Sequence, residues 1–275
     1  MAKRVLLVLL AILAVTAITF GGITLVRNFT VSTNHSNGTG KGPTTEKDDD
    51  FGTVTTYSMK ADGTLDPAAD GLTLHVWDTF KRVVSPEFAA ATMTHFRVGD
   101  APNSDTLAYV YRDENPAHWI LAANLATSKV DSDLIATLVH EYAHLITLNG
   151  TQINAQTASC STLTLDEGCA GDASYLQKFD EQFWSAYTDA PEATNTDATV
   201  ANAFYTAHED DFVSDYAATN VVEDIAESFM TFVLEDRPTS DSTVARKLDF
   251  FWQYPELVTI RERIRGEFTT ELGLG

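Results

Sequence analysis

Basic residues are scarce in this chain: 18 Lys and Arg stand against 39 Asp and Glu over 275 residues, a formal net charge of −21. Such a field repels phosphate backbones and anionic lipid headgroups, so nucleic acid is excluded as a partner. Cysteine is scarcer still, with Cys160 and Cys169 the only two, and no second Cys or His pair lies beside them to complete a zinc site. No cysteine lies near the amino terminus, which excludes a lipoprotein anchor. No segment repeats with a period of roughly 20–50 residues, so solenoids and propellers drop out. What is present suffices for a core. The chain is 44% hydrophobic and 10% aromatic, enough for one domain of about 200 residues.

Long apolar runs are limited to one. Lys3 and Arg4 precede Val5 to Val26, which carry no charge, and Arg27 closes the run. A helix of that length spans about 33 Å, against about 30 Å for a hydrocarbon core. Cleavable signals have shorter apolar regions, about 7–15 residues. Residues 1–27 therefore read as a transmembrane anchor, with Lys3 and Arg4 cytoplasmic and everything past Arg27 exported to the outside of the cell membrane. The alternative is a signal cut after Ala17 and a secreted product. Residues 28–52, "NFTVSTNHSNGTGKGPTTEKDDDFG", are small and polar and read as a flexible linker. Asn28, Asn34, Asn37 and Asn149 each begin an N-x-Ser/Thr triplet. In an exported chain Cys160 and Cys169 most simply form one disulfide.

From residue 53 to 275 the patterning predicts an α+β domain with lobes of about 53–150 and 151–275. "LTLHVWDTFKRVV" (72–84) has helical spacing, with a start near Pro67. "MTHFRVG", "TLAYVYRD" and "HWILAANL" are β-branched and aromatic and read as strands. "DSDLIATLVHEYAHLITLNG" (131–150) reads as a buried helix, capped by Asp131 or Ser132 and stopped by Gly150. Beyond it come "DASYLQKFDEQFWSAY" with helical spacing, an acidic loop to about Ser214, and helices over 221–234, 243–252 and 256–268.

Within the buried helix stands "HEYAH". His140 and His144, four apart, share one face, so both imidazoles can reach one metal ion. Zinc accepts neutral imidazole nitrogen, and three protein ligands leave a fourth place for water. Glu141, turned about 100° from His140, can take that water's proton. The competing reading is a pair of hydrogen-bonded core histidines. No third histidine follows at metzincin spacing. Downstream, "SDYAATNVVEDIAESFMTF" (214–232) places Glu223 and Glu227 one turn apart on a helix that wants a core, a costly arrangement unless paired or metal-bound. Asp224, on a different face, reads as a bystander. His208 reads as part of a solvated acidic loop, and His75, His95 and His118 as ordinary.

HEYAH together with the later Y-A-x-T-N-x-x-E-D-x-A-E-x-F resembles the gluzincin zinc metallopeptidases, the branch that includes the catalytic domain of anthrax lethal factor and related bacterial proteins. The resemblance covers the HExxH helix and the segment from Tyr216 to Phe229, and not the region between. It implies a zincin-like two-lobe fold and one zinc ion held by His140, His144 and Glu223. It further implies Glu141 as general base and acid, Tyr216 as oxyanion donor and Glu227 as support for a ligand histidine. The expected function is hydrolysis of peptide bonds in a peptide or protein substrate, with the strand "HWILAAN" as the cleft edge on which an extended peptide pairs. Hydrolysis of a cell-wall amide and a catalytically silent, zinc-stabilised binding module are the rivals.

Overall fold

The computed structural model describes residues 44–154 and 159–274. The sheet grows from strands β1 (Thr44–Asp48), β2 (Gly52–Met59), β3 (Leu65–Asp66), β4 (Met93–Gly99), β5 (Ala108–Arg112) and β6 (Trp119–Asn124). Their spatial order is β1-β2-β4-β6-β5, with β3 pairing β2. Only β4 and β6 run parallel. Helix α1 (Gly71–Val84) and the short α2 (Pro86–Thr92) intervene between β3 and β4, and α3 (Asp131–Thr147) follows β6. Alternation along β4 and β6 sends Phe96, Val98, Leu121 and Ala123 inward to meet Trp77 and Phe80 of α1 and Leu138 and Val139 of α3. The α+β class expected from the patterning is what folds.

The carboxy-terminal half begins with a small sheet ordered β7 (Ile153–Asn154), β9 (Gly168–Ala170), β8 (Thr164–Leu165). Cys160 and Cys169 are joined there by a disulfide, as an oxidising compartment permits. Helix α4 (Tyr175–Phe179) continues as a π-helical turn over Asp180–Trp184. Then come α5 (Ala198–His208), α6 (Val221–Leu234), α7 (Thr243–Phe251) and α8 (Pro255–Glu267). Helix α6 lies directly against α3, and one continuous apolar core runs from the sheet through both helices to Leu257 and Phe268.

Several expectations are corrected. Residues 44–52 are not linker. Strand β1 pairs with β2, and Asp48 is buried against Arg97 (3.3 Å) and the Tyr109 hydroxyl. The turn of this hairpin closes on Gly99 at the end of β4, where a Cβ would lie 2.5 Å from Phe51 Cβ. Residues 28–43 lie outside the described residues. The acidic loop to Ser214 contains α5, an alanine-containing helix whose start Asp197 caps by accepting from the Thr199 (2.7 Å) and Val200 N–H groups. Neither Asp131 nor Ser132 caps α3. Its N-cap is Val130, and Asp131 pairs with His75 at 2.9 Å instead. Asn149 has its amide committed to the end of α3, donating to Leu145 O (3.1 Å) and Ile146 O (2.7 Å).

The expected membrane location is also corrected. Among the described residues no helix is long and apolar enough to cross a membrane. The run from Val5 to Val26 lies outside the described residues, and a membrane-spanning helix, with the membrane as partner, is not carried further.

Candidate metal centre

Helices α3 and α6 cross so that the polar stripe of each faces the other within an otherwise apolar contact. Leu134, Ile135, Leu138, Val139 and Leu145 bury the rest of α3, while Ile225, Phe229, Phe232 and Val233 bury α6. Such packing fixes the helix rotations and therefore the site. The start of α6 is set by Asn220, whose side-chain oxygen accepts from the Val222 (2.8 Å) and Glu223 (2.9 Å) N–H groups. Its amide donates to Asn195 O at 2.9 Å, tying the cap to the preceding loop.

At the crossing the Nε2 atoms of His140 and His144 lie 3.0 Å apart. Glu223 Oε2 is 3.2 Å from the first and 3.4 Å from the second. Among the described residues this is the group of three or more His, Cys, Asp or Glu that could hold a metal ion. The fit is specific in two respects. Ligands about 2.0–2.1 Å from a tetrahedral zinc stand about 3.3 Å from one another, close to the separations found. Moreover Glu223 Oε2 is buried without an aligned hydrogen-bond donor, an orphan acceptor that a cation would satisfy. The residues fit a zinc ion.

The hydrogen bonds settle the tautomer of His140. Its Nδ1 lies 2.8 Å from Glu227 Oε1, and a carboxylate can only accept, so Nδ1 carries the proton and donates it. Nε2 is then the atom left to face a metal. Glu227 thus lies against His140 Nδ1, and Glu223 against the Nε2 atoms of both histidines. Burial opposes charge on His140, yet the Glu223 and Glu227 carboxylates beside it outweigh that, and in the metal-free chain its pKa is held well above the imidazole range. Glu223 is the mirror image: burial pushes its carboxyl up, but His144 and His140 hold it below the usual carboxylate range.

Glu141 is buried one residue on. Burial raises its pKa above that of a free glutamate, against the pull of His140 and His144. The Val110 backbone N–H of β5 faces its carboxylate and also opposes the rise. This contact puts β5 beside Glu141, not the strand expected there. Strand β6 is interior, between β4 and β5. The edge strand beside β6 is β5. Asn124 N–H donates to Leu107 O and Asp113 N–H to His118 O, both at 2.9 Å. In an antiparallel ladder the bonded residues alternate, so Ala108, Val110 and Arg112 turn their backbone groups outward.

Tyr216 opens a 3₁₀ turn (Tyr216–Thr219) just before α6. It is 49% exposed, and its ring centroid lies 5.9 Å from that of His140. Two residues earlier Ser214 donates to Glu227 Oε2 at 2.7 Å. Sequence reasoning missed this contact; the only signal was Ser214's place two residues before Tyr216. Asp224, expected on a different face from Glu223 and to matter for local stability, stands outside the metal-competent group. It is fully buried, ion-paired with Lys247 at 2.6 Å, and accepts from Trp184 Nε1 at 2.7 Å. Among the described residues the remaining histidines stand apart from the centre: His208 pairs with Asp189 at 3.0 Å, and His95 Nδ1 lies 3.1 Å from Thr94 Oγ1.

Compared with protein-family models, with curated proteins and with solved structures, the chain matches none of them.

Proposed function

We propose that the protein is a zinc-dependent metallopeptidase of the gluzincin type, with a zincin-like α+β fold and a cleft between the β5 edge and the α3–α6 crossing. The observation that carries this reading is the joint placement of three parts. These are the metal-competent group His140, His144 and Glu223, a buried acid beside it at Glu141, and an edge strand whose Val110 N–H faces that acid.

Each residue has a definite task. His140, His144 and Glu223 hold the ion, and Glu227 keeps the His140 ring in the orientation and tautomer that ligation requires. Zinc, when bound, supplies a Lewis acid that polarises a carbonyl and makes water acidic enough to ionise near neutral pH. Glu141 accepts a proton from the attacking water and passes it to the leaving amine; a raised carboxyl pKa suits it to both transfers. Tyr216, with its phenol at the cleft mouth, donates to the oxygen that gains charge on the substrate carbonyl. An extended peptide adds to β5 through the outward groups of Ala108, Val110 and Arg112, which brings a backbone carbonyl, rather than a particular side chain, to the centre.

The test is cleavage of a mixed peptide library by zinc-loaded wild type and Glu141→Gln. Wild type is expected to cut peptide bonds; Glu141→Gln is expected to keep one zinc per chain and lose hydrolysis. Glu141→Gln with wild-type turnover would sink the mechanism. A zinc-loaded wild type that cuts only cell-wall fragments, or nothing, would favour the amide-hydrolase or the silent-module reading instead.

A further inference from the structure

Ser214 touches both the support of the metal centre and the turn that presents Tyr216. Its Oγ accepts from the Ala217 N–H at 3.1 Å. A serine hydroxyl has one proton, and Ser214 gives it to Glu227 Oε2 at 2.7 Å. The other oxygen, Oε1, accepts the His140 Nδ1 proton at 2.8 Å. Donor and acceptor roles are therefore forced along the whole chain: Ala217 N–H to Ser214, Ser214 O–H to Glu227, and His140 N–H to Glu227. Tyr216 lies between the two backbone positions that Ser214 ties together. The segment leading into this turn is pinned from the other side as well. Lys247 Nζ, on α7, donates to Asp211 O at 2.7 Å and sits 3.8 Å over the Phe212 ring. Within the turn the Ser214 contact stands beside a backbone bond from Ala218 N–H to Asp215 O at 3.2 Å.

We infer that Ser214 is a positioning residue that couples metal occupancy at His140 to the order of the Tyr216 turn. Binding of zinc fixes the His140 ring, the ring fixes Glu227, and Glu227 through Ser214 fixes the turn. Coupling of this kind is reciprocal, so an ordered turn also favours metal binding. What Tyr216 does to a substrate rests on the peptidase reading; the coupling itself does not.

The experiment uses the full chain as wild type, Ser214→Ala and Ser214→Thr. Zinc affinity is measured by chelator competition, and exchange of the Ala217 amide hydrogen is followed with and without zinc. Ser214→Ala is expected to weaken zinc roughly 3–10-fold, less than the ~10–100-fold typical of losing a group that directly supports a ligand. It is also expected to abolish the slowing of Ala217 exchange by zinc. Ser214→Thr, which keeps the hydroxyl, restores both. Turnover supplies a third arm. Ser214→Ala should lower kcat about tenfold with KM unchanged, and should cost little further in a Tyr216→Phe background, because removing a shared effect twice is not additive. Unchanged zinc affinity and unchanged zinc-dependent protection in Ser214→Ala overturn the coupling, as does equal failure of Ser214→Thr. Absence of hydrolysis by zinc-loaded wild type counts against the peptidase reading alone, since the affinity and exchange arms still decide the coupling.

Discussion

Asp224→Ala is expected to be the most destabilising single change on α6, although it touches no metal ligand. Asp224 and Lys247 are both fully buried and 2.6 Å apart. Burial holds the Asp224 carboxyl above and the Lys247 ammonium below their ordinary pKa ranges, each in opposition to the partner's attraction. Removing one member of such a pair strands the other charge, at a cost of about 3–5 kcal/mol. Two features adjust this figure in opposite directions. Trp184 loses its acceptor as well, which adds to the cost. Lys247 keeps Asp211 O and the Phe212 ring, which subtracts from it. A net loss of about 4 kcal/mol, at roughly 2–4 °C per kcal/mol for a domain of this size, lowers Tm by about 8–16 °C. Calorimetric melts of the zinc-loaded protein measure the shift. Since Glu223 lies about 100° away around the helix, zinc stoichiometry should stay at one. The double variant Asp224→Leu/Lys247→Met removes both charges and should recover most of the loss. A Tm drop below about 3 °C for Asp224→Ala, or a double variant no more stable than the single, would refute the reasoning.

Three further outcomes are expected. Glu223→Ala should abolish stoichiometric zinc, whereas Glu227→Ala should weaken it roughly 10–100-fold; the reverse order in a metal titration would put the ligand assignment one helical turn out. Tyr216→Phe should leave zinc affinity unchanged while kcat falls about 10²–10³-fold, and a kcat equal to wild type removes Tyr216 from the mechanism. Zinc binding should release protons. The raised pKa of His140 makes its charge a source of metal-free stability below about pH 6.5 that is lost as pH rises through the folded value, whereas Glu223, with its depressed pKa, contributes above about pH 4.3 and loses that contribution as pH falls. Zinc takes the place of the proton on His140, so the rise in Tm caused by zinc should grow between about pH 5 and 8, with proton uptake by buffer seen in titration calorimetry. A rise in Tm that shrinks over this range contradicts the assignment.

The parts of the centre that lie within one helix were legible in the amino-acid order. Four-residue spacing puts His140 with His144, and Glu223 with Glu227, on single faces, because 3.6 residues per turn leaves no other option. Apolar periodicity likewise revealed α3, α6, α8 and strands β4 to β6. Local pattern was blind to contacts between segments. Asp48 sits in an acidic, linker-like run, yet Arg97 and Tyr109 draw it into the sheet. Asp224 and Lys247 are ordinary charged residues until α6 and α7 pack and leave them no water. Ser214 becomes a bridge only because the turn before α6 folds back on Glu227. Spacing along a helix is set by backbone geometry, which every sequence shares. Which strand lies at the edge and which charges are buried together depend on how separate segments pack, and that is settled by the whole core at once.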